Sequence, residues 1–120
     1  MLADPILGVT PAQLPTLQQL ASIRKGEPLT VVGYGDNARR AAAVTVAKID
    51  PGMIAVLNNT NATGQGGACG DGGAPYFLGD SNVVAAVADG ETGRCNAISW
   101  AVRNDTETAR SFIDDLVSVP

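Results

Sequence analysis

Between Gly64 and Leu78 the chain reads Gly-Gln-Gly-Gly-Ala-Cys-Gly-Asp-Gly-Gly-Ala-Pro-Tyr-Phe-Leu. A glycine-dense loop holding one cysteine and one aspartate ends at a proline and enters an apolar strand. Glycines at this density permit φ > 0 and let backbone N–H groups converge on one point. Such a cradle suits a bound anion or a developing oxyanion. The 120 residues form one domain, and 14 glycines, 7 prolines and 4% aromatics favour a loop-rich, mostly β chain over a helical bundle.

The charge balance narrows the partners. A net charge of −4 argues against a phosphate-binding surface, and the basic pairs Arg24-Lys25 and Arg39-Arg40 form no stripe, so no nucleic-acid partner is expected. No apolar run is long enough to span a bilayer, so no membrane partner is expected either. Met1-Leu2-Ala3-Asp4-Pro5 has neither a basic region nor an apolar core, and no signal peptide is read there. Cys69 and Cys95, if paired, would close a loop worth roughly 3 kcal/mol. Composition alone leaves that pairing and two free thiols equally open.

Read in order, residues 1–28 are a lead-in. Pro15 opens a short helix with Leu17, Leu20 and Ile23 on one face, stopped by Gly26. Strands are expected over Leu29–Tyr34, Met53–Leu57, Ala74–Leu78, Val83–Ala88 and Cys95–Val102. Ala41–Ile49 is rich enough in alanine for a helix, yet Val44 and Val46 alternate as in a strand. Pro51-Gly52 and Gly79-Asp80-Ser81-Asn82 are turns. Asp105 then caps a helix over 105–117 with Ala109, Phe112, Ile113, Leu116 and Val117 on one face. The tally is a six-stranded antiparallel barrel over 29–104, closed by a C-terminal α-helix.

Several constellations compete for the chemistry. Gly33-Tyr34-Gly35 follows a strand and, with Ala38, fits G-x-G-x-x-A, with Asp50 downstream. A nucleotide-binding Rossmann-like domain would need Ala38–Ile49 to be its helix. The chain has no histidine, so it holds no Ser-His-Asp or Cys-His unit and no imidazole for zinc. No metal site and no cofactor is assigned. A Ser-Lys pair from Lys25 or Lys48 is a minor alternative. Asp114 and Asp115 sit where the helix macrodipole disfavours them and read as a solvated face. Asn58-Asn59-Thr60, Asn61-Ala62-Thr63 and Asn104-Asp105-Thr106 spell glycosylation sequons.

The glycine loop resembles the Cys-x-Gly-Asp-Ser-Gly-Gly-Pro nucleophile loop of trypsin-like serine proteases. The resemblance extends along the chain, which looks like the second barrel of a bacterial secreted member. Leu2-Ala3-Asp4-Pro5 is similar to the Leu-Asp-x-Pro that closes the family's catalytic-aspartate strand. Thr30–Gly35 resembles the strand opening the second barrel, and Ser99–Ile113 the last strand and C-terminal helix. The resemblance implies a Greek-key barrel, a Cys69–Cys95 disulfide and an extracellular location. It implies an oxyanion hole from the N–H groups of Gly70 and Gly72, oriented by Asp71. Gly66 and Gly67 would lie near the base of the specificity pocket, and Ala88-Asp89-Gly90 would replace the Ser-Trp-Gly that lines it.

Gly72 stands where the family has its serine, Ala74 replaces a glycine, and one residue is missing between Cys69 and Gly70. The family's histidine and aspartate belong to a first barrel, and by this register Met1 begins just past that aspartate. The expectation is a peptidase S1-like domain that is inactive as written. The alternatives are a pseudoprotease module binding a peptide or protein at the former cleft, and the Rossmann-like domain. Self-association through the exposed inter-barrel face is a further expectation.

Overall fold

Alternation with a period of two decides the stretch the sequence leaves open. In β2 (Arg40–Ile49) the side chains of Ala42, Val44 and Val46 are buried, while Ala41 and Ala43 are exposed. A helix would set residues two apart on different faces, so the valines' β-branched stiffness and their spacing agree on a strand. β2 lies antiparallel to β1 (Pro28–Gly33), with Thr30 opposite Ala43. This excludes the Rossmann-like alternative: a strand, not a helix, follows Gly33-Tyr34-Gly35.

The computed structural model describes residue 4 and residues 6–34, 37–58, 71–91 and 97–117. Beyond β1 and β2 it contains β3 (Met53–Asn58), β4 (Pro75–Leu78), β5 (Val84–Glu91), β6 (Ile98–Arg103) and the helix α1 (Glu107–Val117). The strands are antiparallel and close in the Greek-key order β1-β2-β3-β6-β5-β4, with β4 returning to pair with β1. The expected all-β barrel with a C-terminal helix is therefore the observed architecture. Turns fall where proline and glycine place them. Asp50 N–H bonds Met53 O at 2.9 Å around Pro51-Gly52, and Leu78 N–H bonds Val83 O at 3.0 Å around Gly79.

The interior mixes small and large residues. Leu29, Val31, Val44, Ile54, Val56 and Tyr76 are fully buried, packed against Ala42, Ala85, Ala86 and Ala101. Interdigitation of this kind fills a narrow barrel without voids. The inward face of β6 reads Ser99, Ala101, Arg103, so polar groups sit toward both ends. Near one end Asn58 Nδ2 donates to Ser99 Oγ at 2.9 Å. Near the other, Arg103 grips Asp105 bidentately, Nε and Nη2 each 2.9 Å from a carboxylate oxygen, while Nη1 donates to Asp50 O.

Three expectations change here. Asp105 does not cap α1: it is fully buried, and its carboxylate accepts the Leu20 N–H at 2.7 Å. Thr106 caps instead, its Oγ1 accepting from Ala109 N–H at 3.2 Å. The helix expected from Pro15 shrinks to a 3-10 turn over Gln19–Ser22. Gln18 adopts φ 59° and Leu20 is drawn into the barrel mouth toward Asp105, which leaves Leu17 exposed and breaks the longer periodicity. Finally, α1 does not close the barrel. It has no buried residue, because β1–β4 pairing closes the cylinder and Leu20 with the Arg103–Asp105 pair fills its mouth.

Burial alone would raise the Asp105 pKa. The Arg103 hydrogen bonds, the Leu20 amide and the guanidinium charge outweigh it and hold the carboxyl below its ordinary value. A depressed folded pKa gives stability that is present above the unfolded value, about 3.9, and is lost as pH falls through the folded one. Melting temperature should therefore hold above about pH 5 and decline below about pH 4. Asp105→Asn, which strands a buried guanidinium, should cost about 3 kcal/mol or more at neutral pH by denaturant titration and flatten the acid limb. An unchanged midpoint would show the pair to be dispensable.

Candidate functional site

The glycine loop enters β4 through a tight bend over Asp71-Gly72-Gly73-Ala74. Ala74 N–H bonds Asp71 O at 2.8 Å, and Gly73 takes φ +89°, the positive third position that a type II turn reserves for glycine. Two further bonds fix the bend to β5: Gly73 N–H to Ala88 O at 2.8 Å and Ala88 N–H to Ala74 O at 2.9 Å. The Asp71 side chain reaches the other way. Its Oδ1 accepts the Tyr34 N–H at 2.9 Å, tying the bend to the end of β1. Gly33 allows this approach, since a Cβ there would overlap the Asp71 carboxylate. The first and second glycine motifs of the sequence therefore meet in one site.

Gly72 sits exposed at the apex, and a Cβ added to it would meet nothing within 4 Å. A cavity of about 390 Å³ opens beside the bend, lined by Gly33, Tyr34, Arg39, Asp71 and Gly72 among others. Ala88 and Asp89 border a wider apolar groove of about 930 Å³, between the outer face of β5–β6 and α1. The β5–β6 register shifts between Ala88 and Gly90, so exposed Asp89 occupies a β-bulge. Bulges of this kind re-aim a side chain at the rim of a barrel.

Of the residues singled out from sequence, Asp71, Gly72, Ala88, Asp89 and Gly90 are gathered around the bend and the adjoining strand. Gly66, Gly67, Cys69, Gly70 and Cys95 lie outside the described residues, and so does the expected disulfide. Sequence reading missed Gly33 as the counterpart of Asp71, although Gly33-Tyr34-Gly35 carried the signal. It also missed Arg39 in the cavity wall. Gly79-Asp80-Ser81 is a hairpin turn, with Ser81 N–H on Leu78 O at 2.9 Å. Two sequons are closed to glycan: Asn58 is bonded to Ser99, and buried Asn104 donates to Val84 O at 3.0 Å. Among the described residues no three metal-ligating side chains cluster, and no helix is long and apolar enough to cross a membrane.

No family model matches the chain, and no curated protein matches it. Solved structures do. A substituted variant of human heparin-binding protein superposes with TM-score 0.73 at 25% identity, covering 98% of this chain and 54% of that one. The fold is that of a trypsin-like barrel.

An inactivated protease paralogue of the scabies mite matches with TM-score 0.68 at 18% identity, over 97% of this chain and 57% of its own. HL collagenase matches with TM-score 0.71 at 20% identity, over 93% and 55%. The trypsin-like barrel described here thus spans about half the length of each of these proteins.

The clamp between β1 and the bend makes a direct prediction. Gly33→Ala should displace the Asp71 carboxylate from Tyr34 and cost about 1–3 kcal/mol by denaturant midpoint. Gly52→Ala, in open space at an ordinary φ, should stay within about 0.5 kcal/mol. Equal effects would contradict the clamp.

Proposed function

We propose that the chain descends from a trypsin-like serine endopeptidase and is catalytically inactive. The observation that carries this reading is the bend at Asp71–Ala74, which keeps its turn and its buttressing carboxylate while its apex, Gly72, has no side chain. Covalent acyl transfer needs a nucleophile and a base within reach. These 120 residues offer no hydroxyl at the apex and no imidazole. The N–H groups of Gly70 and Gly72, with Asp71 orienting them, would form a residual oxyanion cradle with nothing to attack the carbonyl. Such descent also favours an extracellular protein with Cys69 and Cys95 joined.

What remains available is binding. As a pseudoprotease module, the chain would take a peptide or protein at the former cleft, with Ala88, Asp89 and Gly90 along β5 and Gly66 and Gly67 as the counterparts of the pocket base. The likeness to an inactivated protease paralogue favours this second reading. Ala88 has both backbone groups engaged by the bend, so an added strand would use neighbouring residues. Heparin binding, named for the human neighbour, does not carry over: a net charge of −4 repels a polyanion.

Gly72→Ser tests the inactivity. The open space at the apex and an ordinary φ mean the hydroxyl fits, with stability changed by less than about 1 kcal/mol. The variant, exposed to a fluorophosphonate and read by intact mass, should remain unlabelled because no base activates the new serine. Stoichiometric labelling would overturn the reading.

A further inference from the structure

The chain contains two Asp-Gly steps, Asp71-Gly72 and Asp89-Gly90, and no Asn-Gly. An aspartate followed by glycine is open to ring closure, in which the next residue's amide nitrogen attacks the side-chain carboxyl. Glycine offers that nitrogen with no Cβ to obstruct the approach. In an unfolded chain the two steps would react alike. The fold treats them in opposite ways.

Asp71 is held at both ends. Its Oδ1 accepts the Tyr34 N–H at 2.9 Å, and its main-chain carbonyl accepts the Ala74 N–H at 2.8 Å. The carboxylate also lies against the bare backbone of Gly33. Asp89 is held by nothing comparable. It is exposed, and no described residue makes a hydrogen bond or ion pair with its carboxylate. On one side, pairing with β4 and the bend ends at Ala88. On the other, the register passes from Ala88 opposite Ala101 to Gly90 opposite Trp100, with no partner for Asp89. The residue left over in a bulge is released from the ladder. A Cβ placed on Gly90 would meet nothing within 4 Å, so the backbone has room to turn there.

We propose that Asp89-Gly90 is a site of spontaneous isoaspartate formation, and that the Asp71 clamp protects the other step. First the Gly90 nitrogen bonds to Cγ of protonated Asp89, and the amide hydrogen leaves with the carboxyl hydroxyl as one water. Water then opens the succinimide. Opening at Cγ restores aspartate. Opening at the main-chain carbonyl carbon leaves the chain running through Cβ and Cγ, with a free carboxylate on Cα. One water is lost and one is taken up, so the change needs no oxidant and no second substrate. The product lengthens β5 by one methylene at the residue that already stands outside the ladder, next to the bonds that hold Ala88 to Gly73 and Ala74. The barrel therefore ages here without unfolding, and the charge at the rim of the groove of about 930 Å³ moves from a side chain to a backbone branch.

The test holds the full chain for weeks at body temperature and mildly acidic pH. Isoaspartate is measured by methyl transfer from labelled S-adenosylmethionine with an isoaspartate methyltransferase, and electron-transfer fragmentation assigns it to residue 71 or 89. It should accumulate at Asp89 at least about tenfold faster than at Asp71, the factor expected when one hydrogen bond of ordinary strength must first break. In urea the two rates should converge. Gly90→Ala, which fits in open space, should slow the reaction at Asp89 several-fold and leave the barrel folded. Isoaspartate at Asp71 equal to or above that at Asp89 in the folded chain would overturn the proposal. So would its absence at Asp89, or a rate difference that survives in urea. The proposal stands apart from the inactivity of the bend, and either can fail without the other.

Discussion

The Asp71 carboxylate, lodged against the bare backbone of Gly33 and holding the Tyr34 N–H, is the contact on which the site depends. It joins the end of β1 to a bend that β5 grips from the other side through Ala88. Three strands thus converge on four residues, two of them glycines, that have little side-chain packing of their own. A glycine turn left alone would lose much conformational entropy on ordering. Here the surrounding barrel supplies the order, and Asp71 transmits it.

That division of labour makes the bend a feature of the backbone. The turn bond from Asp71 O to Ala74 N–H, the positive φ of Gly73 and the two bonds to Ala88 are backbone features. None of them requires a serine at the apex. A side chain at position 72 would meet nothing within 4 Å, so the scaffold does not depend on what the apex carries. The same separation holds at the barrel mouth, where Leu20 and the Arg103–Asp105 pair do the closing that a docked helix would otherwise do, which leaves α1 with an open face.

Much of this was legible in the sequence. The β-branched, apolar run of β1, the alternation of Val44 and Val46 in β2, the turns at Pro51-Gly52 and Gly79, and the glycine loop leading into β4 pointed to the barrel. The order of motifs along the chain identified the fold. What stayed hidden were the long-range captures. Asp105 looked like a helix cap because Asp before a helical pattern usually is one. Its role as counter-ion to Arg103 required knowing that β6 turns Ser99, Ala101 and Arg103 inward. The lead-in helix failed for a related reason: Leu20 answers to the barrel mouth, not to Leu17 and Ile23. Gly33 read as a turn or a phosphate fingerprint until Asp71, far along the chain, filled the space its missing Cβ leaves.

The most direct measurement of the central claim is amide hydrogen exchange at Tyr34 by NMR. If Asp71 holds the bend to β1, this amide is protected in the wild type despite its place at the edge of a loop, and Asp71→Ala accelerates its exchange by at least about tenfold. A Tyr34 amide that exchanges in the wild type as fast as in an open chain would contradict the account.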